Sequence, residues 1–288
     1  MKQFDYLKPD SMKAALDALK KHERPFLLAG GTDLLVAMKT NAVRARCLID
    51  LKGIPGMDVV EYNHGVNIGS LSTVRDLEMS PLIREKLPVL SDASATLGSV
   101  QIRNRATVGG NLCHGSPAAD MSAVLLAMDS EVSIASPGGE RRVKLDHFFT
   151  GPGSTALGAE EVLAGIHIPK ELEHYKGVYL KHGPRRAMDI GIVNIAILMD
   201  ADFSRQTCKR IMIAMGAVGP TPMRAAAAEK MLNGSQLTPE LIEKASEAAS
   251  KEADPITDFR ASADYRRALV AGLVSRGIGQ ILASGSAH

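Results

Sequence analysis

Two short glycine-rich stretches, Ala29-Gly30-Gly31-Thr32-Asp33 and Thr107-Val108-Gly109-Gly110-Asn111, each lie between an expected strand and an amphipathic segment. Glycine lets the main chain approach phosphate oxygens, because no Cβ intervenes and φ > 0 is freely open to it. Main-chain N–H groups exposed at such a turn, ahead of a helix, form a site for anions. The two stretches are therefore expected to act as a pair of backbone clamps on one phosphate-containing ligand. Ser116 and Asp120 follow the second stretch, so hydroxyl, amide and carboxylate groups gather where a polyol chain and a diphosphate would be held. Taken singly, Thr107, Ser116 and Asp120 are explained equally well as helix caps.

The rest of the composition narrows the class. The chain has 288 residues, 45% hydrophobic and 23% charged, with a formal net charge of +2. That length predicts two or three domains or subdomains. Lys and Arg are scattered along the chain, which predicts neither a nucleic-acid footprint nor a polybasic membrane patch. The opening Met1-Lys2-Gln3-Phe4-Asp5 is no signal-peptide h-region, and no stretch is expected to reach the roughly 20 apolar residues of a membrane span. A cytoplasmic address is the expectation. Cys47, Cys113 and Cys208 are too dispersed for a CxxC element or a disulfide framework. Each reads as a small buried hydrophobe, any iron–sulfur cluster belongs on another chain, and no metal-ligand set is expected here.

The elements that must carry the two turns can be read from periodicity. Ser11 caps a helix with Met12, Ala15, Leu16 and Leu19 on one face and Lys20-Lys21-His22 at its end. A strand over residues 26–29 enters the first turn, and Asp33 begins the next helix through Leu34, Leu35 and Met38. Residues 47–51 form a short buried strand. Residues 59–62 and 66–69 read as a hairpin, followed by helices near 74–79 and 90–94, an apolar helix over 118–128 and a second hairpin from 131. A strand over 161–168 stops at Pro169, and the polar interval 170–176 is the candidate boundary. Beyond it, strands over 177–181, 191–199 and 210–216 precede helices, one starting at Thr238-Pro239 and the last over 263–282, with a frayed tail from Ser284. The expected divisions are residues 1–58, 59–175 and 176–288.

With these residues in view, the chain resembles the FAD-binding medium subunit of the molybdenum hydroxylases, the family of xanthine dehydrogenase and aerobic carbon monoxide dehydrogenase. The resemblance is carried by Leu28-Ala29-Gly30-Gly31-Thr32-Asp33-Leu34-Leu35, by Gln101-Ile102-Arg103-Asn104 leading into Thr107-Val108-Gly109-Gly110-Asn111, and by Ser116-Pro117-Ala118-Ala119-Asp120. Further on stand Tyr179-Leu180-Lys181, Arg185-Arg186-Ala187-Met188-Asp189-Ile190, Gly216-Ala217-Val218-Gly219-Pro220-Thr221-Pro222-Met223-Arg224-Ala225 and Asp258-Phe259-Arg260-Ala261-Ser262-Ala263-Asp264-Tyr265-Arg266-Arg267. Ala106 and Val108 stand where many relatives have glycine and isoleucine. The cysteine-bearing insertion of 4-hydroxybenzoyl-CoA reductase-like relatives is absent, as is the Gly-x-Gly-x-x-Gly dinucleotide fingerprint.

The resemblance implies an α+β fold: a two-subdomain FAD-binding fold of the vanillyl-alcohol oxidase/PCMH type, then a C-terminal domain with a three-stranded antiparallel sheet and helices. It implies FAD as the cofactor of this chain, with Leu27, Leu28, Ala29, Gly30, Gly31, Thr32 and Asp33 forming one FAD loop. Thr107, Gly109, Gly110 and Asn111, with Ser116 and Asp120, form the other. Leu163 aligns with an aliphatic residue against the isoalloxazine, Leu97 with a position aromatic in some relatives, and Lys181 with a lysine near the flavin. Arg185 and Asp189 are candidates for pairs between domains. The implied work is electron relay in an oxidoreductase, with no catalytic residue of this chain. Electrons pass from a large molybdenum–pterin subunit through a small [2Fe-2S] subunit to FAD and then to NAD, a quinone or oxygen, in a dimer of heterotrimers. A stand-alone flavin oxidase of the vanillyl-alcohol oxidase type and a non-catalytic scaffold are the alternatives.

Overall fold

The computed structural model describes residues 2–185 and 188–285. Arg186 and Ala187 of the motif, and Ser286, Ala287 and His288 of the expected tail, lie outside the described residues.

The chain opens with β1 (Asp5–Leu7), α1 (Met12–Lys21), β2 (Pro25–Leu28), α2 (Leu34–Lys39) and β3 (Cys47–Asp50). The strands form a parallel sheet in the order β1-β3-β2. Ser11 caps α1 by accepting from the Ala14 amide, and Ala15, Leu16 and Leu19 are the face that the helix buries. Because the strands are parallel, the turn after β2 and the segment after β3 emerge at one edge, which is where the first glycine turn stands.

Next come β4 (Val60–Tyr62), β5 (Gly65–Gly69), α3 (Val74–Met79), α4 (Pro81–Lys86), α5 (Pro88–Thr96), α6 (Val100–Arg103), α7 (Val108–Cys113), α8 (Asp120–Ala127), β6 (Glu131–Ser136), β7 (Gly139–Lys144), β8 (Phe149–Gly151), β9 (Ser154–Thr155) and β10 (Val162–Pro169). Five of these strands make an antiparallel sheet in the order β4-β5-β10-β6-β7. Every residue of α8 is buried, which explains why its sequence is apolar on all sides.

The C-terminal part contains β11 (Lys176–His182), β12 (Val193–Asp202), β13 (Thr207–Gly216), β14 (Met223–Arg224), α9 (Ala226–Leu232), α10 (Pro239–Glu252) and α11 (Ala263–Gly285). The sheet order is β11-β12-β13-β14, antiparallel throughout. One face, with Tyr179, Ala196, Leu198, Met212 and Ala214, joins the core built around α5 and α8. The other, with Ile195, Ile197, Ile211 and Ile213, packs on residues of α9, α10 and α11. Both faces are covered, so β12 reads as a continuous apolar run from Ile195 to Met199 instead of alternating.

Several local expectations are corrected. No strand precedes the second glycine stretch: one turn of helix, α6, does, and the stretch is itself the first turn of α7. The C-terminal sheet gains a two-residue fourth strand, β14. Ser284 and Gly285 continue α11 instead of fraying. Cys113 is exposed, whereas Cys47 and Cys208 are buried. Against the expectation of no span-length stretch, α11 is long and apolar enough to cross a membrane by length and composition. In this fold, however, its Val270, Leu273, Val274, Gly277, Ile278 and Ile281 are buried.

Candidate functional site

The two glycine turns, far apart in sequence, lie against each other. A Cβ placed on Gly30 would stand 2.0 Å from the Arg105 carbonyl oxygen, and one placed on Gly110 would stand 3.9 Å from the Ala29 Cβ. Gly31, at φ +77, makes the sharp change of direction after β2. Lys52 fixes the entry to the turn. Its ammonium donates to the Ala29 carbonyl at 2.8 Å and lies 2.6 Å from Asp50 Oδ1. Asp50 also accepts from Tyr6 Oη. Burial pushes the Asp50 carboxyl up, but the hydrogen bonds from Lys52 and Tyr6 outweigh it and hold it below the usual carboxylate range. Nothing in the sequence singled out Lys52.

The turns differ in what they offer. Among the described residues, the amides of Gly30, Gly31, Thr32 and Asp33 donate to no protein acceptor. In the second turn the amides from Val108 to Asn111 are used: Val108 donates to Ser72 O at 3.0 Å, Gly109 to Ser70 O at 2.9 Å, and Asn111 to Thr107 O at 3.0 Å. Gly110 donates to Thr107 Oγ1 at 3.1 Å. The expectation of two sets of free donors is thus corrected. The Thr107 cap takes the Gly110 amide and the Ser70 and Ser72 carbonyls take the two amides before it, so the second stretch serves as a side-chain-free floor beneath the first. The residues fit a dinucleotide diphosphate, which needs several main-chain donors with no side chain in front of them.

The remaining expected residues surround this floor. Asn111 Oδ1 accepts from Met121 N at 3.3 Å, tying α7 to the start of α8, and Ser116 Oγ accepts from Ala118 N at 3.3 Å. Leu163 precedes an irregularity in β10. Ala164 O accepts from Ser70 N at 3.0 Å, and Ser70 O accepts from Gly109 N, so two main-chain bonds tie that strand to the second turn. The Leu163 and Leu97 side chains are 4% and 7% exposed within the same core, and therefore present an edge, not an open apolar face. Leu28 is buried, Leu27 and Ala29 are partly buried, and Asp33 is exposed with no side-chain cap bond to α2.

Asp120, at the first turn of α8, meets the C-terminal domain. Its carboxylate accepts from Tyr179 Oη at 2.7 Å and from Lys181 Nζ at 2.8 Å. Lys181 also donates to Thr96 O at 3.3 Å. Burial raises the Asp120 carboxyl, with Lys181 and Tyr179 opposing it, and burial beside Asp120 pushes the Tyr179 phenol well up. Thr96, Tyr179 and Lys181 line one end of a cleft of about 500 Å³ that continues to Arg185, Asp189 and Arg276. Arg185 and Asp189 pair with each other inside the β11–β12 connection, the Arg185 amide donating to Asp189 Oδ2 at 3.0 Å. Among the described residues, neither bonds to the part of the chain before β11.

Known proteins resemble this chain along nearly its whole length. Residues 2–171 match the family described as the FAD binding domain in molybdopterin dehydrogenase, and residues 178–281 match the CO dehydrogenase flavoprotein C-terminal domain. The chain is 36% identical to the nicotine 6-hydroxylase medium subunit of Paenarthrobacter nicotinovorans, covering 95% of each chain. It is 31% identical to the xanthine dehydrogenase FAD-binding subunit of Escherichia coli O157:H7, over 97% of this chain and 96% of that one. Among solved structures, a chain of carbon monoxide dehydrogenase from Hydrogenophaga pseudoflava superposes with a TM-score of 0.94 at 33% identity, covering 98% of both.

Proposed function

The chain belongs to the family of FAD-binding subunits of molybdopterin dehydrogenases, and from that premise we propose that it relays electrons between partner subunits and an external acceptor. FAD supplies the redox chemistry, and the protein supplies binding, orientation and electrostatics. The observation that carries this reading is the set of free amides at Gly30, Gly31, Thr32 and Asp33, pressed against a second turn with no side chain in the way.

In this reading those amides hold the diphosphate. Asn111, Ser116 and Asp120, with Thr107 shaping their helix, orient the hydroxyl-bearing chain. Leu97 and Leu163 provide the aliphatic border of the ring site, and Lys181 adds a cation beside it. Leu27 and Leu28 anchor the turn in the core of the parallel sheet. The partners are a large molybdenum–pterin subunit and a small [2Fe-2S] subunit in a dimer of heterotrimers, the acceptor is NAD, a quinone or oxygen, and the location is the cytoplasm. The domains run over residues 1–58, 59–175 and 176–288.

The test is to purify the chain with and without its copurifying subunits, count FAD per chain, and add the organic substrate of the complex anaerobically. One FAD per chain, bleached only when the iron–sulfur subunit is present, is the expected result. Bleaching of the isolated chain by an organic substrate would instead make it a stand-alone oxidase. A colourless chain that takes up no FAD would make it a scaffold.

A further inference from the structure

Asn194 is fully buried in β12, and among the described residues neither its Oδ1 nor its Nδ2 has a hydrogen-bond partner. Leaving a buried carboxamide unpaired is costly, and such a group in a native fold calls for an explanation. Its place supplies one. In the register of the sheet, Asn194 is the cross-strand partner of Lys181 on one side and of Gly216 on the other. The Lys181 Cε and the Asn194 Nδ2 lie 3.6 and 3.7 Å from the point where a Cβ on Gly191 would stand. The two side chains thus border one small space that a glycine leaves open. Turning the amide over exchanges its oxygen and nitrogen with almost no change of shape, and presents an acceptor to that space. The Lys181 ammonium has three N–H donors, two of them directed at Asp120 and Thr96.

We propose that Lys181 has two seats, the Asp120 carboxylate and the Asn194 carboxamide, and that it moves to the second when Asp120 turns to the hydroxyl groups of the bound cofactor. Asn194 is then a positioning residue. It receives the cation that would otherwise compete with the ligand for Asp120, and keeps a positive charge at the border of the ring site. This inference rests on the reading above that Asp120 contacts the cofactor.

The test is FAD titration into the deflavinated full chain, paired with thermal unfolding of the same samples. Asn194→Leu removes two unpaired buried groups, so its unfolding midpoint is expected to stay level or rise, while FAD affinity falls fivefold or more. Asn194→Ala, which adds no bulk, gives the affinity readout should the leucine variant fail to fold. In a Lys181→Met background the same substitution is expected to change affinity less than twofold, because no cation remains to be seated. An affinity loss below fivefold in both Asn194 variants, a parallel loss of stability and affinity, or full additivity with Lys181→Met would overturn the two-seat arrangement. Asp120→Ala separates the premises. If it weakens FAD binding and the Asn194 variants do not, only the second seat falls. If it leaves FAD binding unchanged, the assignment of Asp120 to the cofactor falls with it.

Discussion

At the scale of single residues, the glycines of the two turns are required for different reasons. Gly30 lies against main chain, so a methyl group there meets the Arg105 carbonyl at 2.0 Å and the backbone must shift. Overpacking of this kind costs roughly 1–3 kcal/mol, and here it also pries apart the surfaces that flank the free amides. Gly30→Ala is expected to lower the thermal midpoint and to leave well under half of the wild-type flavin absorbance per chain. A Cβ on Gly109 would also meet main chain, 2.6 Å from Ser70 O, whereas the nearest atom to a Cβ on Gly110 is Thr107 Oγ1 at 2.8 Å. Substituting both glycines at once therefore confuses folding with binding, and Gly110→Ala alone is the cleaner probe. Lys52→Met removes the donor that pins Ala29 O while sparing the glycines. The expected outcome is a lowered unfolding midpoint, because Asp50 loses its ion pair, together with FAD affinity of the folded protein reduced severalfold, measured by titration.

At the scale of elements, the segment between α5 and α7 depends on one guanidinium. Arg103, in α6, donates to Glu78 of α3 through Nε at 2.7 Å and Nη2 at 3.3 Å, and through Nη1 to Leu97 O at 3.0 Å. Burial pushes the Glu78 carboxyl up, but its bonds with Arg103 and Arg75 hold it below the usual range. Removing one partner of a buried pair leaves the other uncompensated, typically at about 3–5 kcal/mol. Arg75 remains 2.7 Å from Glu78, so Arg103→Leu is expected to cost about 2–3 kcal/mol by denaturant unfolding and to reduce flavin retention by loosening the second turn. These elements also mark what was legible in the sequence. The helix over 74–79 was readable because it carries an apolar face behind Thr73, whose capping box with Asp76 closes its start. The hairpins and the apolar strands of the C-terminal sheet were readable from β-branched runs and turn residues. The helix α7 was not, because Val108-Gly109-Gly110 has poor helix propensity and its first turn is held by the Thr107 cap and by Ser70 and Ser72. The same packing hid the loss of free amides there. The motif residues were legible; that one turn lends donors and the other only space depends on contacts between residues some 75 positions apart, such as Gly30 with Arg105.

At the scale of the whole molecule, the C-terminal sheet is joined to the FAD-binding part by a shared core and by polar ties near the site, including Ala217 N to Pro117 O at 2.7 Å and the Asp120–Lys181 pair. The same end of that sheet is fastened by Arg266 in the first turn of α11. Its Nη1 donates to Ile192 O at 2.7 Å and Ala217 O at 3.0 Å, and its Nη2 to Asp258 Oδ1 at 2.8 Å. Arg266 therefore links the start of β12, the end of β13 and the loop before α11, and the stretch from Asp258 to Arg267 recognised in the sequence is the clamp that sets this corner. Burial pushes the Asp258 carboxyl up, yet hydrogen bonds from Arg260 N, Arg266 and Ala261 N prevail and lower it from 3.8 to about 2. A carboxyl held lower in the folded state than in the unfolded chain stabilises the fold above its unfolded pKa and loses that contribution as pH falls through the folded value. The thermal midpoint of the wild type is thus expected to exceed that of Asp258→Asn at pH 5 and above, with the gap narrowing below pH 3.8 and closing near pH 2. Calorimetry of the two proteins across that interval checks the sign: a gap that stays constant down to pH 2 would mean that the carboxylate charge does not hold the corner. Because Ala217 is held by both Arg266 and Pro117, the same substitution at neutral pH should also weaken FAD retention modestly, through displacement of the loop that leads to Asp120.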